Sequence, residues 1–274
     1  MEARFPPVRA CIFDMDGLLI DSEDKVAETI NEMMTRYNRP LLSSEMRCRL
    51  MGVPGSSNSD MFHDWANLPI PREQYAQESR KLMYEKFTEC KPLKGAFELV
   101  SNLASAHSLF QQSRIELAVA STSSAESYHC KMTQPETKAL LEMFAENRRI
   151  LGDNPGAPKH RKKPAPDVYD IALSITNETR LVGTRAIEPK ECLAFEDSIA
   201  GVEAARRAGM RVIWVPHPIL LSETDGERQS KILAGRSGMF ELGNEHQLGQ
   251  MDDGWGECIS SLRDFDFQRY GVIS

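Results

Sequence analysis

The six cysteines of this 274-residue chain, Cys11, Cys48, Cys90, Cys130, Cys192 and Cys258, form no C-x-x-C pair, which excludes a zinc knuckle or a dithiol redox motif. Its six histidines show no H-x-x-x-H spacing, so any bound metal is expected to take oxygen ligands. No apolar run is long enough to cross a membrane, and the opening M-E-A-R-F-P-P-V-R lacks the apolar core of a signal peptide. The expected compartment is therefore the cytosol, with no membrane partner. An excess of basic residues is also missing. The net charge of -7 argues against a nucleic-acid partner, since such binding draws on basic surface to displace counterions. There is no low-complexity tract and no internal repeat. What is left is an ordinary soluble composition, long enough for one large domain or for a core with a smaller partner.

What is present concentrates in Ala10 to Glu23, A-C-I-F-D-M-D-G-L-L-I-D-S-E. Its first half is short, apolar and partly β-branched, and reads as a buried strand. The strand runs out at Asp14 and Asp16, with Gly17 directly behind. Two carboxylates this close repel, so the pair needs a cation beside it, or one acid must keep its proton. A magnesium ion and a phosphate ester would supply both the need and the use. The competing reading is a calcium loop. That loop would want further oxygen ligands downstream and a helix in front, whereas Leu18 stands at the next ligand position and a strand precedes.

Helical spacing of apolar residues follows over Lys25 to Tyr37, with Ser22 as a possible N-cap. Shorter helices are expected at Ser43 to Met51, Ser59 to Ala66 and Pro71 to Glu89, around a loop M-G-V-P-G-S-S at Met51 to Ser57. No strand is expected between Asp24 and about Lys91. From Pro92 the texture changes. A helix near Gly95 to Ala106 leads to an apolar strand Leu117 to Ala120 that ends in Ser121, Thr122, Ser123 and Ser124. A weak strand at Ile150 and Leu151 precedes K-K-P-A-P-D at Lys162 to Asp167, which opens a helix running to about Thr176. Cys192 to Phe195 is a strand ending in Glu196, Asp197 and Ser198, followed by a helix from Ile199 to Ala208 and a strand from Val212 to Val215. Cys11 and Cys192 then read as small buried hydrophobes.

Such alternation predicts a doubly wound α/β core, a parallel sheet with helices on both faces, carrying an inserted all-helical cap. The expected division is 1–23 and 92–274 for the core and 24–91 for the cap. In sheets of this kind ligands bind outside the carboxyl ends of the strands, so the acid pair, the serine cluster and Glu196 with Asp197 should converge. His217 and its neighbouring prolines read as structural, His217 to Gly256 is weakly patterned, and the tail Ile259 to Tyr270 could dock on the core.

The chemistry these parts allow is phosphoryl transfer. One acid, Asp14, would attack phosphorus to form an aspartyl-phosphate, and the other, Asp16, would handle the proton of the leaving oxygen and then of water. Mg²⁺ would take the side chains of Asp14 and Asp197 and the main-chain carbonyl of Asp16, with Glu196 joining directly or through water. The serine cluster offers hydroxyls and backbone N–H groups to phosphate, or is an ordinary helix cap. Lys163 is the cation for phosphate and nucleophile, set at a fixed helix entry by Pro166, although the basic run Lys159 to Lys163 also suits a solvated loop or a nucleic-acid patch.

The segments D-M-D-G-L-L-I-D-S-E, A-S-T-S-S, K-P-A-P-D and F-E-D-S with G-V-E-A-A, in that order over roughly Val8 to Pro218, resemble the four motifs of the haloacid dehalogenase superfamily. The resemblance is to its magnesium-dependent sugar-phosphate and pseudouridine-phosphate phosphatases with a helical cap on a Rossmann-like core. It implies Asp14 as nucleophile, Asp16 as acid/base, Ser121, Ser123 and the Thr122 N–H on phosphate, Lys163 as the fixed cation, and Asp197 with Glu196 at the metal. The stretch Gly152 to Lys162 is longer and more basic than the family pattern. In the family the Met51 to Ser57 loop faces substrate; as a plain sequence it is equally a helix connection. The expected partner is a small phosphorylated metabolite, and nothing requires more than a monomer. A rival function is a sugar-phosphate mutase, which must hold a second phosphate in the cap; the related phosphoglucomutases place an Arg where this chain has Gly55, and Arg80 or Lys81 would have to supply the cation from another cap helix. A non-catalytic phosphate-binding protein is the third reading, against which every expected catalytic position holds a competent residue.

Overall fold

The structure is a computed structural model and describes residues 5–53, 55–110, 112–153, 161–181, 183–237 and 248–273. Its strands are Ala10–Phe13 (β1), His107–Ser108 (β2), Glu116–Ala120 (β3), Arg149–Ile150 (β4), Cys192–Glu196 (β5), Arg211–Trp214 (β6), Gly256–Cys258 (β7) and Val272–Ile273 (β8). Six of them form one sheet in the order β4-β3-β1-β5-β6-β7, with every neighbouring pair parallel. β2 and β8 form a separate antiparallel pair. The helices are Ser22–Arg36 (α1), Ser44–Leu50 (α2), Asp60–Ala66 (α3), Arg72–Phe87 (α4), Ala96–Ser105 (α5), Ala125–Lys131 (α6), Pro135–Leu141 (α7), Asp167–Glu178 (α8), Ile199–Arg207 (α9), Pro218–Ser222 (α10) and Gly226–Leu233 (α11). None of the described helices is long and apolar enough to cross a membrane.

The central strands are buried on both faces, which is why they read as unbroken apolar runs. Cys11, Phe13, Leu117, Val119, Leu193 and Phe195 point to one side, where they meet α5, α7 and the chain's C-terminal residues Leu262, Phe265 and Tyr270. Phe13 stacks on Phe195 there with ring centres 4.5 Å apart. Ala10, Ile12, Ala118, Ala120 and Ala194 point to the other side, where small residues let α8 and α9 come close. The expected docking of the tail is thus found, and the Val8 N–H donates to the Tyr270 carbonyl at 3.0 Å.

The doubly wound core and its helical insert are both present. Between β1 and β2 the described residues hold α1 to α5 and no strand. The insert has a small core of its own, in which Ile30, Met33 and Met34 of α1 pack on Met46, Leu50, Phe62 and Tyr75. Its short helices start where the serines place them: Ser43 accepts the Met46 N–H and Ser59 the Phe62 N–H, caps worth roughly 1 kcal/mol each.

Two local expectations are corrected. Ser22 does not cap α1; Asp21 holds the N-cap position, and the Ser22 hydroxyl instead donates to Asp16 Oδ1 at 2.6 Å. β7 has no counterpart in the sequence pattern, because Gly-Glu-Cys shows no alternation and is only half-buried. The free edge of β6 supplies its ladder, pairing Val212, Ile213 and Trp214 with Gly256, Glu257 and Cys258.

The chain leaves β1 for β3 and β4 on one side and returns to β5 on the other, so the winding reverses at β1. That reversal opens a crevice at the carboxyl ends of β1, β3 and β5.

Candidate active site

Asp14 is the first residue past β1, and its N–H donates to the Phe195 carbonyl at 3.0 Å, which ties the strand end to β5. Gly17 makes the turn that follows. Its φ of +80° suits glycine, and a Cβ there would lie 2.3 Å from Asp197 Oδ2 and 2.8 Å from Glu23 Cγ. The glycine therefore lets the β5 acid and the start of α1 close over the turn.

Lys163 enters from the loop before α8, with Pro166 at the helix N-cap. Its ammonium bonds the Asp14 carboxylate and reaches Glu196 Oε1 at 2.5 Å. Tyr169 donates to the same Glu196 oxygen at 2.5 Å, and the Ser198 hydroxyl donates to Oε2 at 3.1 Å. Burial disfavours the charge on Lys163, but Asp14 and Glu196 outweigh it and hold the lysine protonated. Burial also pushes the Asp14 carboxyl up to about 8, with Glu196 and Asp16 adding to that rise and Lys163 opposing it. Glu196 is fully buried with both oxygens already accepting, so in this arrangement it holds Lys163 in place.

Asp197 is different. It is buried, and among the described residues its carboxylate has no hydrogen bond or ion pair; only its main-chain carbonyl is used, by Trp214 Nε1 at 2.8 Å. Burial raises its pKa well above the usual carboxylate range, and Asp14, Glu196 and Glu23 raise it further. Asp14, Glu196 and Asp197 each offer an oxygen within 4.8 Å of the others. Three buried carboxylates face one lysine, so the cluster suits a hard divalent cation with oxygen ligands.

Asp16 does not share that cluster's fate. Its Oδ1 accepts from Lys131 Nζ at 2.5 Å and from Ser22, and its Oδ2 from Ser123 at 2.6 Å and Ser121 at 3.4 Å. Burial works to raise its pKa, but Lys131 and the hydroxyl bonds outweigh it and hold the carboxyl below its ordinary range. Lys131 is buried, also bonds Ser123 Oγ at 2.8 Å, and lies over the Phe87 ring at 4.4 Å. It carries no motif signal of its own. The only trace is positional: α6 begins at the Ser124 cap, two turns later it reaches Lys131, and helical side chains lean back toward the N-terminus.

The serine cluster splits by role. Ser123 reaches Asp16 and the cavity, and the Thr122 N–H has no partner among the described residues. Ser121 is buried beneath them, accepting the Ser123 N–H at 3.1 Å, and does not line the cavity. Ser124 serves as the helix cap, accepting the Ser127 N–H at 3.2 Å. The helix cap thus falls to Ser124, which also lines the cavity, and the bond to Asp16 from a cavity-lining hydroxyl to Ser123.

A cavity of about 620 Å³ lies between these groups and the helical insert. Gly52, Val53 and Ser56 of the Met51 to Ser57 loop line it, together with Met83, Tyr84 and Phe87 of α4. Gly52 has φ +68°, and a Cβ there would come 2.3 Å from Ser198 Cβ, so the insert touches the core directly beside Asp197. A second tie joins Asp24 of α1 to Arg47 of α2 and to His217, whose Nδ1 accepts the Ile219 N–H at 3.2 Å. His217 is structural, as its surroundings in the sequence suggest. Arg80 pairs with Glu126 at 2.7 Å on the surface, and neither it nor Lys81 lines the cavity. Positions 154–160, with Lys159 and most of the basic approach to Lys163, lie outside the described residues.

Residues 11–215 match the family model described as haloacid dehalogenase-like hydrolase. The chain belongs to that family. It is an enzyme of the family's phosphatase type, with three of the expected motifs at the carboxyl ends of β1, β3 and β5 and the fourth in the loop that enters α8. A Schizosaccharomyces pombe protein of uncharacterized function is 35% identical over 98% of this chain and 97% of its own length. A Saccharomyces cerevisiae protein named "Probable pseudouridine-5'-phosphatase" is 31% identical over 97% of this chain and 98% of its own. Among solved structures, a conserved haloacid dehalogenase-like protein of Agrobacterium tumefaciens superposes with a TM-score of 0.64 at 22% identity, covering 94% of this chain and 95% of that one. CbbY of Rhodobacter sphaeroides, solved in complex with phosphate, gives 0.56 at 19% identity over 94% and 96%. These two share the fold.

Proposed function

We propose that the protein is a Mg²⁺-dependent phosphomonoester hydrolase that cleaves a small sugar phosphate or nucleoside monophosphate through an aspartyl-phosphate on Asp14. The observation that carries the reading is the buried Asp14 carboxylate, gripped by Lys163 beside the unpartnered Asp197 at the crevice floor. The name of the yeast relative supports a nucleoside or sugar monophosphate as the substrate class. In the first step an Asp14 oxygen bonds to phosphorus as the bond from phosphorus to the ester oxygen breaks, and the leaving oxygen takes a proton from Asp16. In the second, water attacks phosphorus, the Asp14 oxygen leaves with its electron pair, and Asp16 takes the proton of water. Lys163 and the Thr122 N–H would hold the phosphoryl oxygens, with Ser123 beside them and Ser121 bracing Ser123. Asp14, Asp197 and the Asp16 carbonyl would hold Mg²⁺, with Glu196 behind Lys163, and the ion would offset charge on the phosphoryl group.

Asp16 bonded to Lys131 is ionised, the form that accepts a proton. To donate one it must first be released, and a phosphate dianion that draws Lys131 and Ser123 to itself would do so, leaving burial to raise the carboxyl's pKa. The helical insert, residues 24–91, would act as a lid that excludes water and reopens for product release. We place the enzyme in the cytosol as a monomer. The test is phosphate release from p-nitrophenyl phosphate. The expected result is activity that requires Mg²⁺ and falls at least about a thousandfold in Asp14→Asn; equal release from the variant, or none from the native enzyme, refutes the proposal.

A further inference from the structure

The cavity has a charge pattern that the phosphate chemistry leaves unused. Every described cation that lines it sits at the phosphate end or the lip: Lys163 is held by Asp14 and Glu196, Lys131 by Asp16, and Lys162 is exposed. The side facing the insert is made of Val26, Leu50, Val53, Met83, Tyr84 and Phe87, with Ser57 and with Ser56, whose hydroxyl donates to the Leu50 carbonyl at 2.7 Å. One charged group breaks that wall. Glu23, in the first turn of α1, lines the cavity, and its carboxylate has no side-chain hydrogen-bond partner or ion pair among the described residues. It packs on Gly17, its carboxylate accepts the Gly52 N–H, and burial, with the nearby Asp16 charge, raises its pKa to about 7.

A phosphate anchored at Asp14 and Lys163 directs its alcohol portion into this space. There a carboxylate accepts hydrogen bonds from hydroxyl groups, and repels a second anion that finds no cation to meet it. We infer that Glu23 is a specificity-determining residue, accepting hydroxyl groups of a neutral alcohol and turning away substrates with a second phosphate or a carboxylate. This rests on the phosphatase reading above and narrows it to neutral, hydroxyl-bearing monoesters. It also opposes a mutase, whose bisphosphate would bring a dianion to the same wall.

The experiment compares kcat/KM for glycerol 3-phosphate, ribose 5-phosphate, 2-phosphoglycolate and glucose 1,6-bisphosphate, with p-nitrophenyl phosphate as reference, in the native enzyme and in Glu23→Gln. The native enzyme should prefer the two neutral alcohols by at least about tenfold, and Glu23→Gln should cut that preference by several-fold, chiefly through KM. Because the ratio is taken within one preparation, a loss of folded protein cancels. A ratio that stays fixed while all rates fall together assigns Glu23 to structure or metal and overturns the inference, as does a native preference for the anionic substrates. Absence of phosphate release from p-nitrophenyl phosphate would instead remove the phosphatase reading, and this assignment with it.

Discussion

Two lysine–carboxylate pairs flank the end of β1, and they are built to opposite ends. Lys163 comes from a loop and shares itself between Asp14 and Glu196 in a buried cluster of carboxylates that outnumber it. Lys131 comes from the last turn of a helix and meets Asp16, to which three hydroxyls already donate. Hence Asp14 is pushed up to about 8, chiefly by burial, whereas Asp16 is held low by Lys131 despite its burial. A carboxylate short of cations is prepared to receive a metal and an electrophile. One that is fully paired must be released before it can give a proton. The difference teaches that two acids separated by a single residue acquire unlike chemistry from what the rest of the fold brings to each.

Removing either lysine should separate the two cases. Lys163→Met takes away the cation that, among the described residues, is bonded to Asp14, the proposed nucleophile, and should lower kcat on p-nitrophenyl phosphate by on the order of a thousandfold. A loss under about tenfold would mean that Asp14 does not depend on it. Lys131→Met should cost less, roughly ten- to a hundredfold, and unevenly. Without Lys131, burial raises the Asp16 pKa and keeps its proton on, so glycerol 3-phosphate, an alkyl ester that needs its leaving oxygen protonated, should lose less than the aryl ester, whose phenolate leaves unaided. Equal losses on both substrates would reduce Lys131 to a packing role. The smallest effect should be on stability. Asp197→Asn removes a buried acid whose ionisation burial and the neighbouring carboxylates oppose, so without metal the variant should melt no lower than the native protein. Added Mg²⁺ should raise the native melting temperature by a few degrees and leave the variant nearly unmoved. A metal response preserved in the variant would take Asp197 out of the metal site.

The parts of this arrangement that were legible in the chain share one property: they are local. Asp14, Asp16, Ser123 and Asp197 stand where an apolar run stops, and a run of that length with both faces buried can be little other than an interior strand. Lys163 was legible because the prolines after it fix a helix entry. Lys131 was not, since it sits in an ordinary amphipathic helix, and its distance from Asp16 spans 115 positions. Nor could Ser121 be told from Ser123, because which hydroxyl faces the cavity depends on how β3 ends against β4, where Ser121 donates its N–H to Ile150. β7 was hidden for a similar reason, being a strand only because β6 offers an edge.

The sequence by itself determined the strand ends, the helical insert and the residue types that handle phosphate, because hydrophobic period, capping residues and the glycine turn act over a few neighbouring positions. Only the tertiary structure decided which cation meets which acid, leaving Asp197 bare, Asp16 paired and Glu23 facing the cavity. Charge balance in a buried site is summed over elements far apart in the chain, and its strength is set by burial that no short segment provides.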